Sequence, residues 1–174
     1  MALGLASGFL EPLESTSIYL IQSGIARLIQ MLPDRHMSAV LRDQFNAESA
    51  FEIERIRDFL ILHYCVTARR DSEFWKYCAA MSIPDELRAK IELFRETGRF
   101  YRNAEEMFGL TSWVQVMVGQ GLVPSGYHPL VDSVADAELA QLGESVRQVV
   151  ASCVAAMPSH EQFIDRYCRA PVAA

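Results

Sequence analysis

The spacing of apolar residues constrains the fold of this 174-residue chain more than any other feature. From residue 17 to residue 32, apolar side chains recur every three or four positions, which is the period of a helix with one buried face. These positions are Ile18, Ile21, Ile25, Leu28 and Leu32. The chain contains no strongly alternating pattern of the kind that predicts strands, and no internal repeat. We therefore predict a mainly α, in fact all-α, fold in which residues 1–174 form a single helical region.

The same period and the turn residues between apolar stretches predict three more helices in the first part of the chain. A second long helix is predicted over residues 38–67. Asp71 or Ser72 can cap a short third helix, because both side chains accept hydrogen bonds from free backbone N–H groups. Pro84 fits the first turn of a fourth helix that ends at Gly98.

The last part of the chain predicts two helices after an irregular connection. Glycines and prolines between residues 119 and 130 predict the connection. A long helix follows over residues 136–157, and Ser159 with Gln162 has the pattern of a capping box that opens a final helix. The apolar stripe of the long helix consists of Leu139, Leu142, Val146, Val149, Cys153 and Met157.

Charge and cysteine content exclude several classes of protein. The net charge is -6 and the basic residues are scattered, so no basic stripe suited to nucleic acid is present. Charged residues interrupt every long apolar stretch, and we therefore expect no membrane span. The cysteines are Cys65, Cys78, Cys153 and Cys168. No two of them form a C-x-x-C pair, which favours reduced thiols in a cytoplasmic protein over a zinc or redox site.

Residues 4–18 read Gly-Leu-Ala-Ser-Gly-Phe-Leu-Glu-Pro-Leu-Glu-Ser-Thr-Ser-Ile and lead directly into the first predicted helix. Ser15, Thr16 or Ser17 can cap this helix, whose first free N–H groups lie at the positive end of the helix dipole. Such a helix start suits a small anion, and Glu14 lies just ahead of it. A plainer interpretation is that the acidic residues here are simply favoured near a helix start.

The complete string closely resembles the signature of flavin-dependent tryptophan halogenases. The resemblance continues through ERIRDFLILHY at 54–64, DSEFW at 71–75, Ile-Pro at 83–84 and SWVQVMVGQG at 112–121. It implies that the chain is the helical, C-terminal, substrate-side subdomain of a halogenase, lacking the α/β flavin-binding domain. Residues 1–18 would carry the motif beside flavin, halide and substrate, and residues 19–174 would form the helical subdomain.

The resemblance also implies a chemistry. In this family, reduced flavin adenine dinucleotide (FAD), supplied by a flavin reductase, and oxygen oxidise a halide ion. The resulting hypohalous acid crosses a tunnel to an electron-rich aromatic substrate such as tryptophan or another indole. The implied activity is that of a monooxygenase-like oxidoreductase, with reduced FAD and halide as cofactors. Its partners would be the missing flavin-binding domain, the flavin reductase and the small aromatic substrate, and a homodimer is left open.

Carried over by position, the resemblance implies roles for the residues of this segment. Glu14 matches the glutamate beside the substrate, which takes the proton from the halogenated ring or orients the halogenating species. Thr16 and Ser17 match the turn whose backbone N–H groups hold the halide, although some members have glycine at the position of Ser17. The positions close to the isoalloxazine ring are Leu5, Ser15 and Ile18. The two aliphatic residues among these would also suit a hydrophobic core.

An aromatic slot for the substrate is predicted from Phe100, Tyr101 and Phe108. Halogenases of free tryptophan carry two adjacent tyrosines, a glutamate and a Phe-Trp pair in this region. Residues 100–108 do not reproduce that set. An indole, another small aromatic, or a carrier-bound or peptide-linked ring is therefore favoured over free tryptophan.

Three features of the family do not occur in this sequence: a G-x-G-x-x-G turn after a strand, a catalytic lysine and a W-x-W-x-I-P segment. Lys76 and Lys90 are the two lysines, and we expect both to be solvated. The histidines lack metal spacing, so no metal site is expected, and His63 with Tyr64 is assigned to packing. We expect the chain alone to bind flavin weakly and to be inactive as a halogenase.

Two other interpretations stay open. The chain is a stand-alone helical interaction module, or it is one half of a split halogenase whose other chain docks on its apolar surface. A halogenase part predicts that Glu14 and residues 15–17 are exposed on one side. A self-contained module predicts that they are covered.

Overall fold

The computed structural model describes residues 2, 4–36, 38–102 and 106–169. These residues form helices joined by turns, and none of them lies in a strand. The predicted mainly α fold is therefore confirmed. The chain divides into two compact units, Met1–His128 and Pro129–Ala174.

Helix α2 is central to the first unit. The α-helices described in this unit are α1 (Ser17–Gln30), α2 (Ala39–Cys65), α3 (Glu73–Ala80), α4 (Asp85–Thr97) and α5 (Leu110–Gly119). Two short 3-10 helices, Gly4–Ala6 and Leu13–Ser15, precede them. The first of these packs on α1, and α2 contacts α1, α3, α4 and α5. Side chains on α2 are thereby brought close to segments that are distant in the sequence.

The hydrophobic core of the first unit is built on the C-terminal half of α2. Its buried members are Phe59, Leu62, Leu87, Ile91, Phe94, Phe100, Trp113 and Met117. Phe59 stacks on Phe108 at 3.9 Å between ring centroids and meets Trp113 edge-to-face at 5.0 Å. Such ring pairs add to the stabilisation that burial provides. The core therefore holds the last turns of α2 firmly in place.

Local signals set most helix ends as predicted. The Ser72 hydroxyl caps α3 by accepting a hydrogen bond from the Trp75 backbone N–H, and α4 begins directly after Pro84. Gly98 ends α4 with a φ of 66°, which only glycine adopts at low cost. A Cβ atom on Gly126 would lie 2.6 Å from the Glu96 carbonyl oxygen. The predicted irregular connection thus packs its backbone directly against the end of α4.

The second unit contains a 3-10 helix (Pro129–Ser133), α6 (Asp136–Ala156) and α7 (His160–Tyr167). The predicted capping box is present, since the Ser159 hydroxyl accepts from the Gln162 N–H and the Gln162 side chain accepts from the Ser159 N–H. None of the described side chains in this unit is buried. The apolar stripe of α6 is therefore exposed.

Candidate functional site

The turn that precedes α1 has an unusual backbone. Glu14 has φ 64° and ψ 2°, and Ser15 has φ 51°. Two consecutive residues with side chains thus adopt the left-handed conformation, which costs about 1–2 kcal/mol for each. Residues held in this region cluster at functional sites, where the surrounding structure enforces them. This turn is therefore the candidate site, as the sequence motif also suggests.

The carboxylate of Glu14 contacts His63 at the end of α2. Glu14 Oε1 lies 3.1 Å from His63 Nε2, and His63 Nδ1 lies 2.8 Å from the carbonyl oxygen of Phe59. The His63 side chain is 13% exposed and the Glu14 side chain 36%. His63 therefore has polar partners on both ring nitrogens, in addition to its edge-to-face packing on Phe59. Sequence reasoning missed this pair, because only the fold brings positions 14 and 63 together.

A second carboxylate of the motif contacts the next residue of α2. Tyr64 donates a 2.5 Å hydrogen bond from its hydroxyl to Glu11 Oε2. This hydrogen bond, with burial, raises the pKa of Tyr64 to about 12. Tyr64 also stacks on Trp75 of α3, at 6.0 Å between ring centroids. The loop that carries Glu14 is thus held against α2 at two consecutive positions.

The start of α1 leaves hydrogen-bond donors free. Thr16 occupies the N-cap position and makes no side-chain capping bond. Its side chain is 1% exposed, and its Oγ1 has no hydrogen-bond partner among the described residues. The first backbone N–H groups of a helix have no partner within that helix. A buried hydroxyl beside such N–H groups suits a small anion, so the residues present fit a halide.

The three positions assigned to the isoalloxazine ring lie on the surface. Leu5 is 68% exposed and Ile18 is 70% exposed, so neither belongs to the core of the described chain. Ser15 is also exposed. Leu5 and Ser17 line a cavity of about 420 Å³ that is bounded by the N-terminal segment, α1 and α2. The exposed apolar side chains of Leu5 and Ile18 fit the edge of a flat ring. The described residues offer no glycine-rich turn for the pyrophosphate of a flavin dinucleotide.

The three residues of the predicted aromatic slot occupy different surroundings. Phe100 is buried and stacks on Trp113 at 5.0 Å, whereas Tyr101 is 61% exposed. Phe108 is partly buried and stacks on Phe59, whose ring also meets His63 edge-to-face at 4.9 Å. Phe108 is therefore linked to Glu14 through two side chains. A role for all three in substrate binding stays a prediction.

Lys90 is buried, which overturns the expectation that it is solvated. Its Nζ lies 2.5 Å from Glu106 Oε1 and 4.8 Å from the centre of the Trp113 ring. Burying a charge is costly unless it is paired, and Glu106 supplies that pair. Lys76, by contrast, is more than half exposed and pairs with Glu73. Lys90 is thus paired inside the core and is not free to act as a solvated amine.

No group of three or more histidine, cysteine, aspartate or glutamate side chains among the described residues is placed to hold a metal ion. No helix in the described part of the chain combines the length and apolar character needed to cross a bilayer.

Solved flavin-dependent halogenases share this helical fold. Xcc4156 from Xanthomonas campestris shares 52% sequence identity and a TM-score of 0.93, over 100% of this chain and 35% of that one. BrvH from Brevundimonas sp. BAL3 shares 45% identity and a TM-score of 0.90, over 95% of this chain and 34% of that one. The fold is thus that of the helical region of flavin-dependent halogenases.

Sequence similarity identifies the protein family of this chain. The tryptophan halogenase family matches residues 1–136, and the chain belongs to this family. The tryptophan 6-halogenase ThaL of Streptomyces albogriseolus is 33% identical over 91% of this chain and 33% of its own length. This chain spans about a third of the length of the relatives that it matches.

Proposed function

We propose that this chain is the helical, substrate-side part of a flavin-dependent halogenase, with Glu14 as the general base. The observation that carries the proposal is the strained turn, which presents the Glu14 carboxylate directly ahead of a helix start that retains free donors. Of the residues expected to be exposed, Glu14 and Ser15 are exposed, whereas Thr16 is buried and Ser17 is half-buried. The exposed Glu14 carboxylate supports a site that opens toward another part of an enzyme. A self-contained interaction module would gain nothing from this strain.

Thr16 and Ser17 would hold the halide, and Leu5, Ser15 and Ile18 would contact the flavin ring. When bound, reduced FAD together with oxygen would supply the chemistry that oxidises the halide. The residues of this chain then have two tasks, which are to hold the anion at the start of α1 and to place a carboxylate beside the aromatic ring. Both follow from the geometry of one turn, because α1 begins at Ser17, three residues after Glu14.

Glu14 would accept the proton that a halogenated aromatic ring must lose. A carboxylate suits this step, because the ring intermediate is strongly acidic and needs a base only within hydrogen-bond distance. The proposed substrate is a small aromatic such as an indole. Phe108 is the predicted slot residue that the structure links most directly to Glu14.

We also propose that the chain alone is inactive as a halogenase and binds flavin weakly. Its described residues offer a surface for the ring of the cofactor but no site for its phosphates. Titration of the purified chain with FAD should therefore show only weak binding, with a Kd above about 100 µM, because little of the ligand surface is enclosed. Tight binding would show that the chain holds a more complete site than we propose.

A chimaera tests the role of Glu14. The chain would replace the matching third of Xcc4156, to which it is 52% identical, and indole with bromide and a flavin reductase would be assayed by mass spectrometry. We expect a brominated product, and a loss of about 100-fold or more in kcat with Glu14→Gln. Glu138→Gln on α6 is the matched control and should leave kcat unchanged. Equal activity of the Glu14→Gln variant and its parent would refute the role of Glu14.

A further inference from the structure

The contacts of His63 fix where its protons can lie. The carbonyl oxygen of Phe59 can only accept a hydrogen bond, so His63 Nδ1, at 2.8 Å, must donate. A neutral imidazole carries one N–H group, and with Nδ1 protonated its Nε2 is a bare acceptor. Nε2 nevertheless lies 3.1 Å from Glu14 Oε1. Two bare acceptors would repel each other, so this contact requires one proton between the carboxylate and the ring.

We propose that His63 is the proton acceptor behind Glu14, a positioning residue that shares one proton with the general base. This inference rests on the proposed function. Glu14 takes the proton from the halogenated ring carbon, the C–H bond breaks and its electron pair returns to the aromatic system. As Glu14 takes this proton on Oε2, the proton already shared with His63 moves fully onto Nε2, which gives an imidazolium beside a neutral carboxylic acid. The imidazolium then loses its Nε2 proton to water, and the proton on Glu14 becomes the shared one. Nδ1 keeps its own proton on the Phe59 carbonyl throughout.

The surroundings of His63 suit this task. Its ring is held edge-to-face on Phe59, which is itself fixed in the core by Phe108 and Trp113. Among titratable groups, Glu14 contacts Nε2, and Tyr64 is the next residue along α2. Tyr64 directs its hydroxyl proton to Glu11, so that this pair does not compete for Nε2. With 13% of its side chain exposed, His63 can pass the proton on to water after the reaction.

The first test measures the protonation of the two ring nitrogens in the chain itself. A sample labelled with 15N-histidine would be studied by NMR, and the His63 signals assigned by their loss in His63→Gln. We expect Nδ1 to carry a proton, and Nε2 to have a shift between the protonated and bare values. In Glu14→Gln the amide N–H donates to Nε2, which should then show the bare value. A neutral ring with its proton on Nε2 and a bare Nδ1 would overturn the proposal.

The second test uses the Xcc4156 chimaera and separates proton acceptance from positioning. In His63→Gln the amide can still hold Glu14 but cannot take its proton, whereas His63→Phe removes both functions. We expect kcat to fall about 10-fold in His63→Gln. The isotope ratio, which is kcat for indole divided by kcat for ring-deuterated indole, should rise from near 1 to above about 2 in this variant. His160→Gln on α7 is the control. A merely structural histidine would not change the isotope ratio.

The outcomes distinguish this inference from the proposed function. If Glu14→Gln loses activity while His63→Gln keeps both the kcat and the isotope ratio of its parent, proton transfer to His63 is refuted. The role of Glu14 as the general base is then still supported. If the parent chimaera makes no halogenated indole, the proposed function fails. The NMR measurement on the chain then still decides whether Glu14 and His63 share a proton.

Discussion

Helix α2 of the first unit and helix α6 of the second both follow a regular apolar pattern, but they differ in burial. On α2, Ile56, Phe59 and Leu62 are at most 1% exposed. On α6, Val146 is 57% exposed and Val149 is 62% exposed. A periodic apolar stripe favours a helix wherever it occurs, whereas burial requires that other helices cover the stripe. The pattern therefore predicts the helix but not its surroundings.

The charged pairs of the two units differ in the same way. Lys90 and Glu106 in the first unit have side-chain exposures of 8% and 2%, whereas Arg147 and Glu144 in the second have 74% and 55%. Water screens an exposed pair, and a buried charge without a partner is strongly destabilising. Substitutions in the first unit should therefore have large effects, and their counterparts in the second unit small ones.

The largest expected effect is that of Phe59→Ala. Phe59 is 1% exposed and contacts Phe108, Trp113 and His63 through its ring. Removing a buried aromatic ring should lower the free energy of unfolding by about 3–5 kcal/mol. The matched change Val149→Ala on α6 should cost below about 1 kcal/mol, because that side chain is already exposed. Urea titration followed by circular dichroism measures both, and equal losses would show that α6 is covered in solution.

Breaking the buried pair comes next. Lys90→Met removes the lysine that pairs with the buried Glu106 carboxylate and should cost about 3 kcal/mol. Arg147→Met breaks the exposed pair on α6 and should cost at most about 0.5 kcal/mol. The same urea titration applies. A small cost for Lys90→Met, similar to that of Arg147→Met, would mean that water reaches the Glu106 carboxylate.

Particular residues show how far the sequence alone leads. Ser72, Gly98 and the Ser159 capping box act within a few residues, so the helix ends that they set were predictable. Helix α5 was not predicted, because its apolar residues surround the helix instead of forming one stripe. The candidate turn was found from its motif, but the contact between Glu14 and His63 spans 49 positions. Such contacts depend on tertiary packing, which local spacing does not encode.

Cysteine reactivity sharpens the comparison of the two units. Burial raises the pKa of Cys65 to about 11, and Cys78 is 4% exposed, whereas Cys153 and Cys168 of the second unit are exposed. The thiolate is the reactive form, so iodoacetamide at about pH 8 should label Cys65 and Cys78 at least about 100-fold more slowly than the other two. Mass spectrometry of peptides gives the rates. The urea-unfolded chain, in which all four should react alike, is the control.

The smallest effect concerns Tyr64 and its dependence on pH. The hydrogen bond to Glu11 raises the pKa of Tyr64 from 10.0 to about 12, so the folded state favours the neutral phenol. Its contribution to stability is therefore fully present below pH 10 and is lost as the pH rises toward 12. Tyr64→Phe should cost about 1.5–3 kcal/mol near neutral pH, the usual value for one hydrogen bond to a charged group.

The difference in stability between the wild-type chain and Tyr64→Phe isolates this contribution from other groups that titrate at high pH. We expect the difference to be constant up to pH 10 and then to shrink toward zero near pH 12, as measured by urea titration at each pH. Tyr167→Phe on α7 removes a hydroxyl from a side chain that is 61% exposed and should give no such change. A constant difference up to pH 12 would mean that Glu11 does not hold the Tyr64 proton in solution.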